Sequence, residues 1–124
     1  MNYRVHAKTG DQISVIGVGT GPIFDTTEKE AATALTYAYE HGVNYLDFAT
    51  AGARTFPYVG AALGSVRQDL FYQIHFGADY GSGEYGWTTD LDTVKRQVDW
   101  QLTELKTDYI DFGIIHCLNE ERDW

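Results

Sequence analysis

The sequence predicts an α/β fold built on a parallel sheet, and three observations carry that prediction. Short runs rich in β-branched residues recur along the chain, segments with apolar residues at helical spacing separate them, and glycines punctuate the joins. Strands that alternate with helices in this way pair in parallel through right-handed crossovers. The 124 residues suffice for one compact domain, and a hydrophobic content of 44% is enough to build a core.

Taken in order, Tyr3–Val5 and Gln12–Ser14 flank the turn-forming stretch Lys8-Thr9-Gly10-Asp11, so residues 1–14 read as a short hairpin. Val15-Ile16-Gly17-Val18-Gly19 has the character of a buried parallel strand ending in glycines. Thr27 with Glu30 forms a capping box, and Ala31, Ala34, Leu35 and Ala38 repeat at helical spacing up to Glu40-His41, where Gly42 ends the helix. Val43–Leu46 gives a second strand that ends at Asp47. An irregular loop through Pro57 and a short helical piece over Val59–Leu63 follow. Leu70–Ile74 is the third strand. The glycine- and aromatic-rich stretch Gly77–Thr88 is longer than a simple connection and reads as a functional loop or lid. A helix capped by Thr89, with Asp92 in support, carries the stripe Leu91, Val94, Val98, Leu102 and Leu105, and Tyr109–Ile115 forms the fourth strand. Two architectures fit this order: an open doubly wound sheet, or the first half of a (β/α)8 barrel, whose full form needs ~250 residues.

Composition narrows the function classes. A net charge of −9 and a pI near 4.6 repel phosphate backbones and anionic lipid, which argues against nucleic acid or a membrane surface as partner. A single cysteine, Cys117, permits no internal disulfide and reads as a small packing residue, in keeping with a reducing cytoplasm. The start of the chain lacks the apolar run of a signal peptide, and no later stretch approaches the ~20 apolar residues of a membrane span, so a cytoplasmic protein is expected.

In parallel α/β folds functional groups collect at the carboxyl ends of the strands. Asp47, His75 and His116 each follow or close a predicted strand, which places three titratable side chains at one rim. Each also has a plainer reading as a loop cap or a partner of nearby backbone. Two histidines and a carboxylate are in addition the ligand set of many iron or zinc sites, a reading that nothing in the spacing enforces. Gly17-Val18-Gly19 falls short of a dinucleotide fingerprint because Pro22 stands where the third glycine belongs. Phosphate-loop, zincin and α/β-hydrolase motifs are absent.

Several stretches together resemble the aldo-keto reductases: Tyr3-Arg4, Lys8-Thr9-Gly10, Gly17-Val18-Gly19-Thr20, Gly42-Val43-Asn44-Tyr45-Leu46-Asp47-Phe48-Ala49, and above all Thr107-Asp108-Tyr109-Ile110-Asp111 with His116. Gln101-Leu102 through Leu118-Asn119-Glu120-Glu121 is most similar to the bacterial branch that carries a C-terminal ferredoxin-type iron–sulfur segment. The resemblance implies the N-terminal half of a (β/α)8 barrel, with residues 1–124 forming one partial barrel domain. It implies an oxidoreductase that moves hydride between NADP(H) or NAD(H) and a small carbonyl or alcohol substrate. Gly19, Thr20 and Asp47 would touch the cofactor, and an iron–sulfur cluster would lie beyond this chain.

The family's proton donor is a tyrosine tuned by a lysine, an aspartate and a histidine. The aspartate maps onto Asp47 and the histidine onto His116. The tyrosine's place is taken by Gly52, the lysine's by His75, and the threonine that usually follows the aspartate by Phe48. Histidine is a credible substitute because it titrates near neutrality, so His75 or His116 is expected to act as the acid with Asp47 orienting it. Tyr58, Tyr80 and Tyr85 lie in flanking loops as other sources of a phenol, and Trp87 is placed to line or cover the pocket. The departures at Gly52 and His75 also admit a non-catalytic relative, a pseudoenzyme or interaction subunit. Half a barrel leaves sheet edges and apolar surface to be covered by the remaining half in cis or by a second chain. Because Arg122-Asp123-Trp124 follow the fourth strand where the next helix is expected, the sequence reads as the front of a longer frame.

Overall fold

The computed structural model describes residues 1–121; Arg122, Asp123 and Trp124, and the expectation attached to them, lie outside the described residues. The hairpin pairs β1 (Tyr3–Val5) antiparallel with β2 (Gln12–Ser14), as its turn residues predict. It is tied to the sheet by the Ser14 N–H donating to Asn44 Oδ1 (2.8 Å) and by the Tyr3 hydroxyl donating to the Gly42 carbonyl (3.0 Å).

Four parallel strands follow in sequential order: β3 (Val18–Gly19), β4 (Tyr45–Asp47), β5 (Phe71–Phe76) and β8 (Phe112–Ile115). Among the described strands the order never reverses, so there is no switch point of the kind a doubly wound sheet needs. β3 is shorter than the predicted strand from Val15, and Val15 (47% exposed) and Ile16 (60%) are not buried. The Ser14 hydroxyl donates to the Ile16 carbonyl at 2.7 Å and bends the backbone there, which takes both residues out of the ladder.

α1 (Glu28–Glu40) starts with the capping box that Thr27 and Glu30 predict and ends where Gly42, at φ +85°, turns the chain back. α2 (Thr55–Leu63) begins earlier than predicted and holds Pro57 in its first turn, where the missing N–H has no helical partner to lose. α3 (Leu91–Leu105) is capped by Asp90 rather than Thr89. The Asp90 carboxylate accepts the Thr93 N–H at 2.8 Å and adds negative charge at the positive end of the helix. The buried line of α3 is Val98, Gln101 and Leu105, whereas Leu91 is 70% exposed. Short 3-10 turns over Gly21–Asp25 and Gly64–Asp69 complete the connections. The Gly77–Thr88 stretch holds a small hairpin, β6 (Ala78–Asp79) with β7 (Gly86–Trp87).

The helices cover one face of the sheet. Leu35, Leu46, Phe56, Val59, Leu63, Tyr72, Ile74 and Leu105 are buried between the two layers and form the core. Alternation along the strands sends Tyr45, Asp47, Phe71, Gln73, His75, Phe112 and Ile114 to the opposite face.

One polar cluster inside this frame was not anticipated. Arg67 is 5% exposed and lies between the rings of Tyr72 (4.1 Å) and Tyr109 (4.0 Å). Its guanidinium donates to the Leu70 carbonyl, the Tyr109 carbonyl, Thr107 Oγ1 and Asp111 Oδ2. Asp111 Oδ2 also accepts the Tyr72 N–H at 2.8 Å. The motif Thr107-Asp108-Tyr109-Ile110-Asp111 therefore serves a buried cation, fixing where β8 starts against β5. The Asp111→Ala variant leaves that cation unpaired, and a loss of about 3 kcal/mol is expected in the denaturant unfolding free energy. Replacing Thr27 by Ala removes only a cap and is expected to cost about 1 kcal/mol in the same measurement.

Candidate active site

The parallel ladder sets the site. β4 and β5 align Asp47 with Gln73, and β5 and β8 align His75 with Ile114, so Asp47, His75 and His116 reach the carboxyl end of the sheet together. Asp47 closes β4. His75 lies inside β5, which runs two residues past the predicted end, and His116 is the first residue after β8.

The three side chains form one hydrogen-bonded series. His75 Nε2 is 2.7 Å from Asp47 Oδ1, and His75 Nδ1 is 3.2 Å from His116 Nδ1. A carboxylate only accepts, so His75 Nε2 carries the proton and donates to Asp47. The Nδ1–Nδ1 contact holds a single proton, and with His75 Nδ1 as the acceptor His116 Nδ1–H is the donor. His116 Nε2 is then without a proton, and it is buried with no hydrogen-bond partner among the described residues. Burial, followed by the nearby His75, lowers the His116 pKa from its ordinary 6.5.

That space is an open cavity of about 440 Å³ walled by Phe48, Thr50, His75, Tyr80, Tyr85 and His116. Among the described residues no three donors converge as a metal site would require, because the imidazole nitrogens are turned toward one another and toward Asp47.

Gly19 and Thr20 part company. A side chain at Gly19 would meet no atom within 4 Å, so the end of β3 is open to a ligand. Thr20 is fully buried, and its hydroxyl donates to the Asp47 carbonyl at 2.9 Å. The Thr20 side chain thus holds the end of β3 to β4.

The glycine at position 52 is built in. A Cβ there would lie 2.1 Å from Phe24 Cε2 and 2.9 Å from the Gly83 carbonyl oxygen. Residues 51–53 instead pair with the loop between β6 and β7: Ala53 N–H donates to the Gly83 carbonyl (2.9 Å) and Tyr85 N–H to the Ala51 carbonyl (2.8 Å). Tyr85 is thereby brought to the cavity with its ring 6.5 Å from that of His116. Tyr80 is buried, with its hydroxyl donating to the Thr50 carbonyl at 3.4 Å and its pKa pushed by burial to about 12, while Tyr58 packs against the core. Trp87 lines a separate apolar groove with Phe76 and Val94. Gln73 was missed by sequence reasoning. Its Nε2 donates to Asp47 Oδ1 at 3.1 Å, and its place on the same strand face as His75, two residues away, was the available signal.

Residues 15–123 match the aldo/keto reductase family. The chain belongs to that family. It is similar to the uncharacterized oxidoreductase YqkF of Bacillus subtilis (strain 168), with 35% identity over 108 residues, 84% of this chain and 35% of that protein. In structure it is similar to the holo form of the aldo-keto reductase AKR11C1 of Bacillus halodurans, at TM-score 0.78 and 26% identity, covering 99% of this chain and 43% of that one. A Klebsiella pneumoniae aldo/keto reductase solved with NADP and acetate shares the fold at TM-score 0.65 and 18% identity, covering 94% of this chain and 40% of that one. The chain thus spans less than half the length of each of these relatives. Among the described residues no helix is long and apolar enough to cross a membrane.

Tight packing at position 52 gives a direct check. The Gly52→Tyr variant is expected to lose about 1–3 kcal/mol of stability by overpacking against Phe24, measured from its unfolding midpoint, and to gain no reductase activity.

Proposed function

We propose that this chain is the first part of a (β/α)8 barrel oxidoreductase of aldo-keto reductase type, in which His116, backed by His75 and Asp47, handles the proton. The observation that carries this reading is the series Asp47–His75–His116, whose last ring lines the cavity and whose Nε2 has no partner among the described residues. Sequential parallel strands with helices on one face support the barrel, completed by further residues in cis or by a second chain.

The residues present fit one rim of a nicotinamide cofactor, since Gly19 leaves the end of β3 open and Asp47 lies beside it in the ladder. When bound, the cofactor gives hydride to a carbonyl carbon or takes it from an alcohol carbon. In the reducing direction, protonated His116 Nε2 donates to the carbonyl oxygen, and the His75–Asp47 pair orients the imidazole throughout. In the oxidising direction, neutral His116 accepts the alcohol proton. The His116 ring lines a mostly apolar cavity, which suits a small carbonyl compound with an apolar body. An iron–sulfur cluster held by four cysteines would need ligands from outside these residues, because Cys117 is the only cysteine here. A non-catalytic relative would account for Gly52, but not for a buried imidazole nitrogen that has no partner among the described residues.

Incubation of the protein with NADPH and a small aldehyde, followed by loss of nicotinamide absorbance, tests the reading. The His116→Ala variant is expected to lower kcat by roughly 100-fold or more, and absence of NADPH binding by the unaltered protein would refute the assignment. His116 meets His75, which is itself bonded to Asp47, and shares the cavity with Glu84 and Tyr85 from the loop and the neighbouring Cys117. Because reduction needs the protonated imidazole, its kcat is expected to fall as pH rises through a pKa below 6.5, while oxidation gains over the same interval. In His116→Gln that pH dependence disappears.

A further inference from the structure

The hydrogen-bonded series does not stop at Asp47. Gln73 Nε2 donates to the same Oδ1 that accepts from His75, at 3.1 Å and 2.7 Å respectively. At the other end of the amide, the Tyr45 hydroxyl donates to Gln73 Oε1. Tyr45 lies two residues before Asp47 on β4, and Gln73 two residues before His75 on β5, so all four share one face of the sheet.

We infer that Tyr45 and Gln73 are positioning residues that fix the tautomer of His116 through Asp47 and His75, an inference that rests on the proton role proposed for His116. A glutamine amide can turn over, exchanging its oxygen and its NH2. The Asp47 carboxylate only accepts, so the amide NH2 faces Asp47 and the amide oxygen, turned to Tyr45, is held there by the Tyr45 O–H. Asp47 Oδ1 then receives two donors and has no proton to give, which requires the proton of His75 to sit on Nε2. The consequence passes on: His75 Nδ1 accepts, His116 Nδ1 donates, and His116 Nε2 carries no proton. Which ring nitrogen of a histidine carries the proton is set by the bond its other nitrogen makes. Here the Asp47 carboxylate makes that choice, and Gln73 and the phenol of Tyr45, four hydrogen bonds from His116, hold the carboxylate in place. Gln73 also bounds the series, because an amide passes no proton onward to Tyr45 under ordinary conditions.

Histidine 15N spectra of the whole protein, recorded above the His116 pKa, read this out without cofactor or turnover. The expected result is a proton-free Nε2 and a protonated Nδ1 on His116. The Tyr45→Phe variant keeps the ring that packs on Phe112, centroids 6.0 Å apart, and removes only the hydroxyl. It is expected to lose the single-tautomer signal and give a mixture of the two forms. Gln73→Glu keeps an acceptor for Tyr45 but sets a second carboxylate beside Asp47, so the histidine titrations are expected to move to higher pH. An unchanged His116 tautomer in Tyr45→Phe, or a protonated Nε2 in the unaltered protein, would overturn the inference. A protein with the expected spectra but no hydride transfer would refute the reductase reading and leave this one standing.

Discussion

The meeting of His75 and His116 depends on an ion pair at the far ends of their strands. Buried Arg67 gathers the Leu70 and Tyr109 carbonyls and the Asp111 carboxylate, and Asp111 in turn accepts the Tyr72 N–H. From that anchor the β5–β8 ladder runs through His75 opposite Ile114, and His116 follows one residue after the strand. A slip of a single residue would turn every side chain of β8 to the other face and separate the two imidazoles. A guanidinium suits the anchor because its planar set of donors satisfies several oxygens at once while its faces stack on rings, as they do here on Tyr72 and Tyr109.

Much of this was legible in the sequence. The capping box at Thr27 and Glu30 marked the start of α1 because both bonds are local and depend on nothing distant. The four parallel strands were legible in kind and order, and their carboxyl ends marked Asp47, His75 and His116. Strand lengths were less accessible. The early end of the pattern at Ile74 hid the fact that β5 continues through His75 to Phe76, since a polar residue on the face opposite the helices reads the same as a turn. Conversely, Val15 and Ile16 look like strand but lie outside the ladder, because a contact between Ser14 and Ile16 bends the backbone. The β6–β7 hairpin has too few ladder residues to announce itself, and Arg67 and Gln73 take their meaning only from partners far away in sequence.

The loop region shows how a departure at one position is absorbed by its surroundings. Phe24 fills the volume beside Gly52, Arg54 stacks its guanidinium 4.6 Å from that ring, and the segment bonds to the β6–β7 connection through its backbone. The glycine is therefore part of a packed arrangement rather than an empty place in it, and the phenol nearest to His116 comes from the opposite loop. Thr20 plays a comparable part at the first strand, where its buried hydroxyl holds the end of β3 against the Asp47 carbonyl.

The ionisable series crosses from β4 to β5 to β8, so its spacing is inherited from the separation of neighbouring strands, about 4.8 Å per step. Backbone pairing maintains that interval whatever happens in the connecting loops. Insertions, shortened turns and exchanged aromatic walls can thus accumulate over evolutionary time, changing which molecules are admitted while the imidazole-to-imidazole distance stays the same.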